Sequence, residues 1–362
     1  MTETETLKKV LKTKPATNGT DVLKSALSTG LTLLNLGMAG RPNVGLTRGN
    51  YYLLVGESSS GKSFLAMQCL AEAANNPQYD KYSLEYYDIE GGALASIGGG
   101  VRRFFGQKLS KRLNTPNAQT VEHFFDQTIA KMEEGPCLIV LDSTDALDDE
   151  ATRKLRKVKA AARESNKDGP GSYGASKAKE LKSGLRALMG KKGPLAKNGS
   201  ILIIISQTID KLDFGFEKTT RAGGKALKFF AKGECWFKIK NPIKKSVRGK
   251  QRKIGSLLQI DVKKNRETGR EPSIVVPFYP SVGFDEVGGL VDFLVEEGHW
   301  KGGGKKEEKD IVAKEFSFKG SREELVKHIE ENGKTKELRN LVGEIWDEIE
   351  SSCNVIREKR YE

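Results

Sequence analysis

One eight-residue stretch limits this chain more than any other. Residues 56–63 read GESSSGKS and satisfy the pattern G-x-x-x-x-G-K-[ST] at every fixed position. An apolar run, YYLLV, precedes it, and FLAMQCLAEAA follows with apolar residues at helical spacing. A strand, loop and helix in that order turn backbone N–H groups inward around a phosphate and add the positive end of a helix dipole. Gly56 and Gly61 permit the bend, and Glu57, Ser58, Ser59 and Ser60 complete the loop. Lys62 is placed to reach β- and γ-phosphates, and Ser63 to set a hydroxyl on Mg²⁺.

Such a unit needs a sheet to sit on, and the chain supplies one. Apolar runs at Tyr51–Val55, Ser83–Ile89, Cys137–Asp142 and Ile201–Ser206 read as strands, with helical periodicity after Lys62 and over Val121–Glu133. Strands separated by helices imply an α/β fold with a mixed, mostly parallel sheet between helices. Glu234–Lys240, Leu257–Lys263 and Ser273–Pro277 follow one another closely and suggest an antiparallel extension. Residues 1–30 form an N-terminal segment, 31–284 the core and 285–362 a small α or α+β lobe, where Leu325, Ile329, Leu338, Leu341, Ile345 and Ile349 mark two amphipathic helices. Residues 164–176, rich in Gly and Ser, read as a loop. No apolar run approaches the length of a membrane span. The four cysteines (Cys69, Cys137, Cys235, Cys353) lack CxxC spacing and read as reduced core thiols of a cytoplasmic protein.

Polar residues at the strand ends extend the phosphate reading. LIVLDS (138–143) ends in Asp142, the expected second carboxylate on the Mg²⁺ side. YYDIEGGAL (86–94) sets Glu90 at another strand end, where a carboxylate can polarise an attacking water. ILIIISQ (201–207) ends in the neutral amide of Gln207, suited to sensing a γ-phosphate. Charge adds a partner class. The chain carries a net +13, yet residues 151–200 hold 14 Lys/Arg against 3 acids and residues 207–253 hold 14 against 4. A field so concentrated beside a nucleotide site points to a polyanion.

Together these segments resemble the RecA family of recombinases, in order, over roughly residues 27–300. LSTGLTLLNLGMAG (27–40) is similar to the family's entry segment, YDIEGGAL (87–94) to the segment of its catalytic glutamate, and LIVLDSTDAL (138–147) to its Walker B strand. SQ (206–207) resembles the γ-phosphate-sensing strand end. GGKALKFFA (223–231) resembles the close of the second DNA-binding loop, and VKKNR (262–266) the segment whose basic residues reach a neighbour's ATP. The resemblance implies a RecA-type core that binds ATP and Mg²⁺ and forms a helical filament on single-stranded DNA. It implies strand exchange with double-stranded DNA, aided by a single-strand-binding protein or loader. Glu90, Lys62, Gln207, Lys264 and Arg266 would be catalytic. Lys211, Phe214, Phe216, Lys218, Arg221, Gly223, Gly224 and Lys225 would contact DNA with the loop 208–222, and Lys177 and Lys179 with the loop 151–178. The segment from Asp149 to Lys182 is longer and more basic than in the family, and Gly91 and Gly92 follow Glu90 where bacterial members carry a bulkier residue. A phage-encoded or otherwise divergent member fits these departures, working in the cytoplasm, that of the host if phage-encoded.

Two other readings stay open on the residues alone. One is a RecA-core DNA motor such as a hexameric helicase. The other is a non-catalytic recombination mediator that kept the fold.

Overall fold

The computed structural model describes residues 26–92, 100–154, 174–190, 192–210, 219–221, 224–302, 310–355 and 357. Its centre is a parallel block of six strands: β1 (Asn50–Gly56), β2 (Ser83–Asp88), β3 (Leu113–Asn114), β4 (Cys137–Asp142), β5 (Ile201–Asp210) and β7 (Gly233–Val247). They lie in the order β7-β1-β5-β4-β2-β3, and β8 (Lys250–Asn265), β9 (Ser273–Tyr279) and β10 (Gly283–Phe284) extend the β7 side antiparallel. A short β6 (Thr219–Arg221) folds back on the end of β5. The fold is therefore α/β with a large, mixed, mostly parallel sheet.

Period-two alternation divides the core between the two faces. Tyr52 and Leu54 of β1 join Ile201, Ile203 and Ile205 of β5 in one cluster, while Tyr51, Leu53 and Val55 join Leu202 and Ile204 in the other. Both faces are buried, so the strands read as unbroken apolar runs rather than alternating ones. Helices α1 (Thr32–Ala39), α2 (Lys62–Asn75) and α3 (Val101–Arg112) cover the first face. Helices α4 (Val121–Glu134), α5 (Gly174–Leu188) and α7 (Gly224–Phe230) cover the second, and α6 (Pro194–Lys197) leads into β5. Helix α2 commits Leu65, Met67 and Leu70, each at most 1% exposed, to the first cluster. Each such side chain contributes about 1.5–3 kcal/mol. Helix α1 ends at Gly40, whose φ of 66° lets its N–H reach the carbonyl of Leu36.

The C-terminal lobe is α+β. It comprises α8 (Glu286–Glu296), a hairpin of β11 (Ile311–Ala313) and β12 (Phe318–Gly320), α9 (Arg322–Glu331) and α10 (Thr335–Ser352). Asp285 caps α8 by accepting from the Gly288 N–H at 2.8 Å, and Ser321 and Glu324 form a capping box on α9. The lobe's Leu290, Leu325 and Val342 belong to the same apolar cluster as Leu27 and Leu70, so lobe and core share one interior.

Three expectations need correction. Helix α5 begins at Gly174, inside the stretch read as a loop, because Leu181, Leu185 and Leu188 bury one helical face. The strands expected over Glu234–Lys240 and Leu257–Lys263 run on to Val247 and back to Lys250, well beyond the apolar pattern. Cys69, Cys137 and Cys235 are buried, but Cys353 is exposed, and all four are free thiols. Among the described residues no helix is long and apolar enough to cross a membrane.

Candidate functional site

The C-terminal ends of the parallel strands gather the polar residues, which is where open α/β sheets place ligands. Gly56 pairs in register with Gln207 of β5 and Phe237 of β7, and Asp88 of β2 pairs with Asp142 of β4. The loop after β1 therefore opens directly beside Gln207.

Sterics fix the glycines of that loop. A Cβ on Gly56 would lie 2.4 Å from the Phe237 carbonyl oxygen. A Cβ on Gly61, whose φ is +93°, would lie 2.7 Å from Leu258 Cδ1. Ser59 also takes a left-handed φ of 59°. Left-handed residues within a tight loop aim successive N–H groups into one concavity, the form of an anion nest. Ser60 is buried, and its hydroxyl donates to the Glu57 carbonyl at 2.7 Å, bracing the loop from within. Glu57, Ser58 and Ser59 are exposed at its rim.

Lys62 is 6% exposed, and its ammonium donates to the carbonyls of Gly56 at 2.9 Å and Glu57 at 2.6 Å. Burial pushes its pKa down, opposed by the nearby carboxylates of Asp142, Glu90 and Asp145. The ammonium also reaches the Ser60 hydroxyl oxygen at 3.4 Å, so this buried cation is held by neutral oxygens that an anionic ligand can displace. Asp142 is also buried, and its Oδ2 accepts from the Tyr86 hydroxyl at 2.6 Å. Burial raises its pKa, and hydrogen bonds from Ser63 and Tyr86 work the other way. Ser63 and Asp142 are thus side by side. Among the described residues no group of three or more His, Cys, Asp or Glu side chains could hold a metal. One hydroxyl and one carboxylate suit an octahedral ion that takes its other ligands from phosphate and water. The donors present fit a magnesium phosphate.

Glu90 and Gln207 meet. Gln207 Nε2 donates to Glu90 Oε1 at 2.8 Å, and the Ser143 hydroxyl donates to the same oxygen. The Gln207 backbone N–H donates to Asp145 Oδ2 at 2.6 Å. Asp145 is partly buried with a pKa raised by desolvation, and Lys177 Nζ donates to its carbonyl at 3.2 Å. The strand-end carboxylate, the amide and the residue after Asp142 form one hydrogen-bonded chain. Tyr86, Ser143 and Asp145 escaped the sequence reading. Only Asp145 left a trace there, as the second acid in DSTD (142–145).

The remaining expected site residues are spread more widely. Lys177, read above as a DNA contact, is half-buried, and its amine faces Asp145, Asp148 and Asp149 with its pKa lowered by burial. Lys179 is exposed. Lys264 donates to the carbonyls of Lys228 and Phe229, and Arg266 Nη2 donates to Phe229 O at 2.8 Å. Both basic residues therefore cap the C-terminus of their own chain's α7. Arg221 lies on β6, while Gly224 and Lys225 open α7. Lys211, Phe214, Phe216, Lys218 and Gly223 lie outside the described residues, as do residues 155–173 of the first expected loop and residues 1–25.

The fold and site define an α/β protein with an anion nest, a buried lysine and paired carboxylates at the C-terminal edge of its sheet. The chain matches no protein-family model and no curated protein.

Proposed function

We propose that this chain is a RecA-type DNA-dependent ATPase that assembles as a filament on single-stranded DNA and exchanges strands with a homologous duplex. The observation that carries the reading is the Glu90–Gln207–Asp145 chain of hydrogen bonds. It joins a carboxylate suited to activating water to strand β5, which runs on to Asp210 and into the basic segment that β6 closes. Gain or loss of a γ-phosphate contact at Gln207 is then felt by a segment able to bind DNA, a two-state element biased by nucleotide.

The residues take distinct parts. The nest of residues 56–63 and Lys62 hold the phosphates, with Lys62 turning from its carbonyl partners to the anion. Ser63 and Asp142 would hold magnesium, which when bound neutralises charge on the β- and γ-oxygens. Tyr86 fixes the Asp142 carboxylate by donating to one of its oxygens. Glu90 takes a proton from water, and Ser143 and Gln207 orient it meanwhile. Lysines and arginines near 208–228 bind the DNA backbone without reading its bases.

Two measurements test this. ATP hydrolysis should rise when single-stranded DNA is added, and electron microscopy with a slowly hydrolysed ATP analogue should show helical filaments. Rings in place of filaments would favour a motor. Hydrolysis absent with and without DNA would favour a mediator.

A further inference from the structure

Strands β7 and β8 outrun the sheet. Strand β7 pairs with β1 only through Phe237, and β8 pairs with β9 only from Ser256 onward. Between those limits the two strands pair only with each other among the described residues, and every residue from 244 to 254 is exposed. From Lys240 to Val247 such a ribbon advances roughly 23 Å. Phe237 stands beside Gly56, so the ribbon leaves the body from the same edge as the phosphate loop.

Its chemistry is one-sided. Residues 238–254 contain eight Lys or Arg and no Asp or Glu. At its root Lys238 pairs with Asp261 at 3.0 Å. Among the described residues the seven cations beyond Lys238 form no ion pair. The register sets Lys244 opposite Lys253 and Lys245 opposite Arg252. Neighbouring residues face opposite sides of a ribbon, so each face carries a cation against a cation, an arrangement that weakens a sheet. The tip sets another of the seven, Arg248, in a costly place. Arg248 has φ 52° and Gly249 φ 74°, the two left-handed positions of a tight hairpin turn, where Asn or Gly is usual at the first. Local stability argues against each of these choices, and a closely held polyanion would offset them together.

We infer that the distal β7–β8 ribbon is a binding arm for the phosphate backbone of double-stranded DNA. A two-stranded ribbon fits within a major groove. The stretch 238–254 has no aromatic residue, so it lacks the stacking platforms by which single strands are gripped. Its charges are spread along both faces, which matches the linear charge of a duplex. The inference rests on the DNA reading above for its choice of polyanion, and on described residues for everything else.

The test uses the full chain carrying Lys244→Gln, Lys245→Gln, Arg252→Gln and Lys253→Gln. Affinity for a blunt-ended duplex of mixed sequence is measured against salt concentration. Loss of four phosphate contacts should flatten the slope of log K against log[salt] by about 3–4. Affinity for oligo-thymidylate should fall less than affinity for the duplex. Replacing Lys244, Lys245 and Lys253 by Arg and Arg252 by Lys should retain duplex binding, which separates charge from shape. An unchanged slope on duplex overturns the arm. So does an equal loss of binding to polyglutamate, which would reassign the ribbon to an acidic protein. If single-stranded DNA fails to stimulate ATP hydrolysis while the duplex slope falls as expected, the recombinase reading fails and the arm stands.

Discussion

At the strand ends, nearly every charged side chain has been given a partner. Tyr86 donates to Asp142, Ser143 and Gln207 to Glu90, the Gln207 backbone to Asp145, and the loop carbonyls accept from Lys62. In the β7–β8 arm, cation faces cation across both sides of a bare ribbon. One region holds its groups at fixed separations in a partly dry setting, where a misplaced atom is expensive. The other offers charge at long range in water, where position matters little. The first arrangement suits bond-making and the second suits capture. Substitutions should therefore behave oppositely in the two places.

The largest effect belongs to Lys62→Ala. Loss of the phosphate-facing cation should lower ATP hydrolysis by at least about 10²–10³-fold. The fold should survive, since the buried ammonium is held only by neutral oxygens, the carbonyls of Gly56 and Glu57 and the hydroxyl of Ser60. A thermal melt beside the rate measurement checks both halves, and retained hydrolysis would remove the strand-end site from the comparison.

Glu90→Gln should follow, slowing turnover by about 10²–10⁴-fold while nucleotide still binds. The new amide keeps an oxygen for Gln207, so coupling to DNA should persist. Gln207→Ala should do the reverse, leaving basal turnover nearer normal and abolishing stimulation by DNA. Measuring DNA affinity with and without nucleotide for the pair tells chemistry from relay, and identical behaviour of the two variants would contradict the separation.

Stability gives a subtler contrast. Tyr86→Phe strips Asp142 of a buried donor and should cost about 1–3 kcal/mol of unfolding free energy in a urea titration. The four glutamines in the arm remove two like-charge pairs, and should add about 0.2–1 kcal/mol per pair. A destabilised arm variant would show that the cations serve the ribbon itself.

The smallest effect is one of pH. Asp145 has a pKa raised mainly by burial, so the folded chain favours its protonated form. That contribution to stability is full below the ordinary aspartate range and is lost as pH rises through the raised value. Asp145→Asn keeps an acceptor for the Gln207 N–H without the buried charge. Its stability relative to the parent should therefore increase across that window, and a constant difference would argue that Asp145 ionises freely.

What could be read from the residues follows the same division. The phosphate loop was legible because it needs glycine for close approach and lysine for charge at fixed spacing. LIVLD and ILIIIS were legible because burial on both faces leaves unbroken apolar runs. The arm was not, because a ribbon exposed on both faces has no apolar period to betray its strands. The segment was visible only as charge. Tyr86 and Asp145 stayed hidden because a tyrosine in a buried strand and an aspartate in a turn are ordinary there. Their roles depend on which atoms the register brings within 2.6 Å. Lys177 shows the converse. Lysine in a basic segment suggests a ligand outside, and here the half-buried amine donates to the Asp145 carbonyl of its own chain, a contact that spacing could not reveal.

If the filament proposed above forms, the cap on α7 would bear on how the protein responds to its own concentration. Lys264 and Arg266 end on the carbonyls of residues 228 and 229, so a subunit alone keeps both cations occupied at home. Each cation at a helix end contributes about 0.3–1 kcal/mol. Releasing both thus biases the resting form by about 3- to 30-fold. On the proposed reading, in which both cations reach a neighbour's phosphates, that would be small enough for assembly to overcome and large enough to matter while neighbours are scarce. A dilute population would idle, and activity would climb more steeply than the number of subunits once they begin to meet.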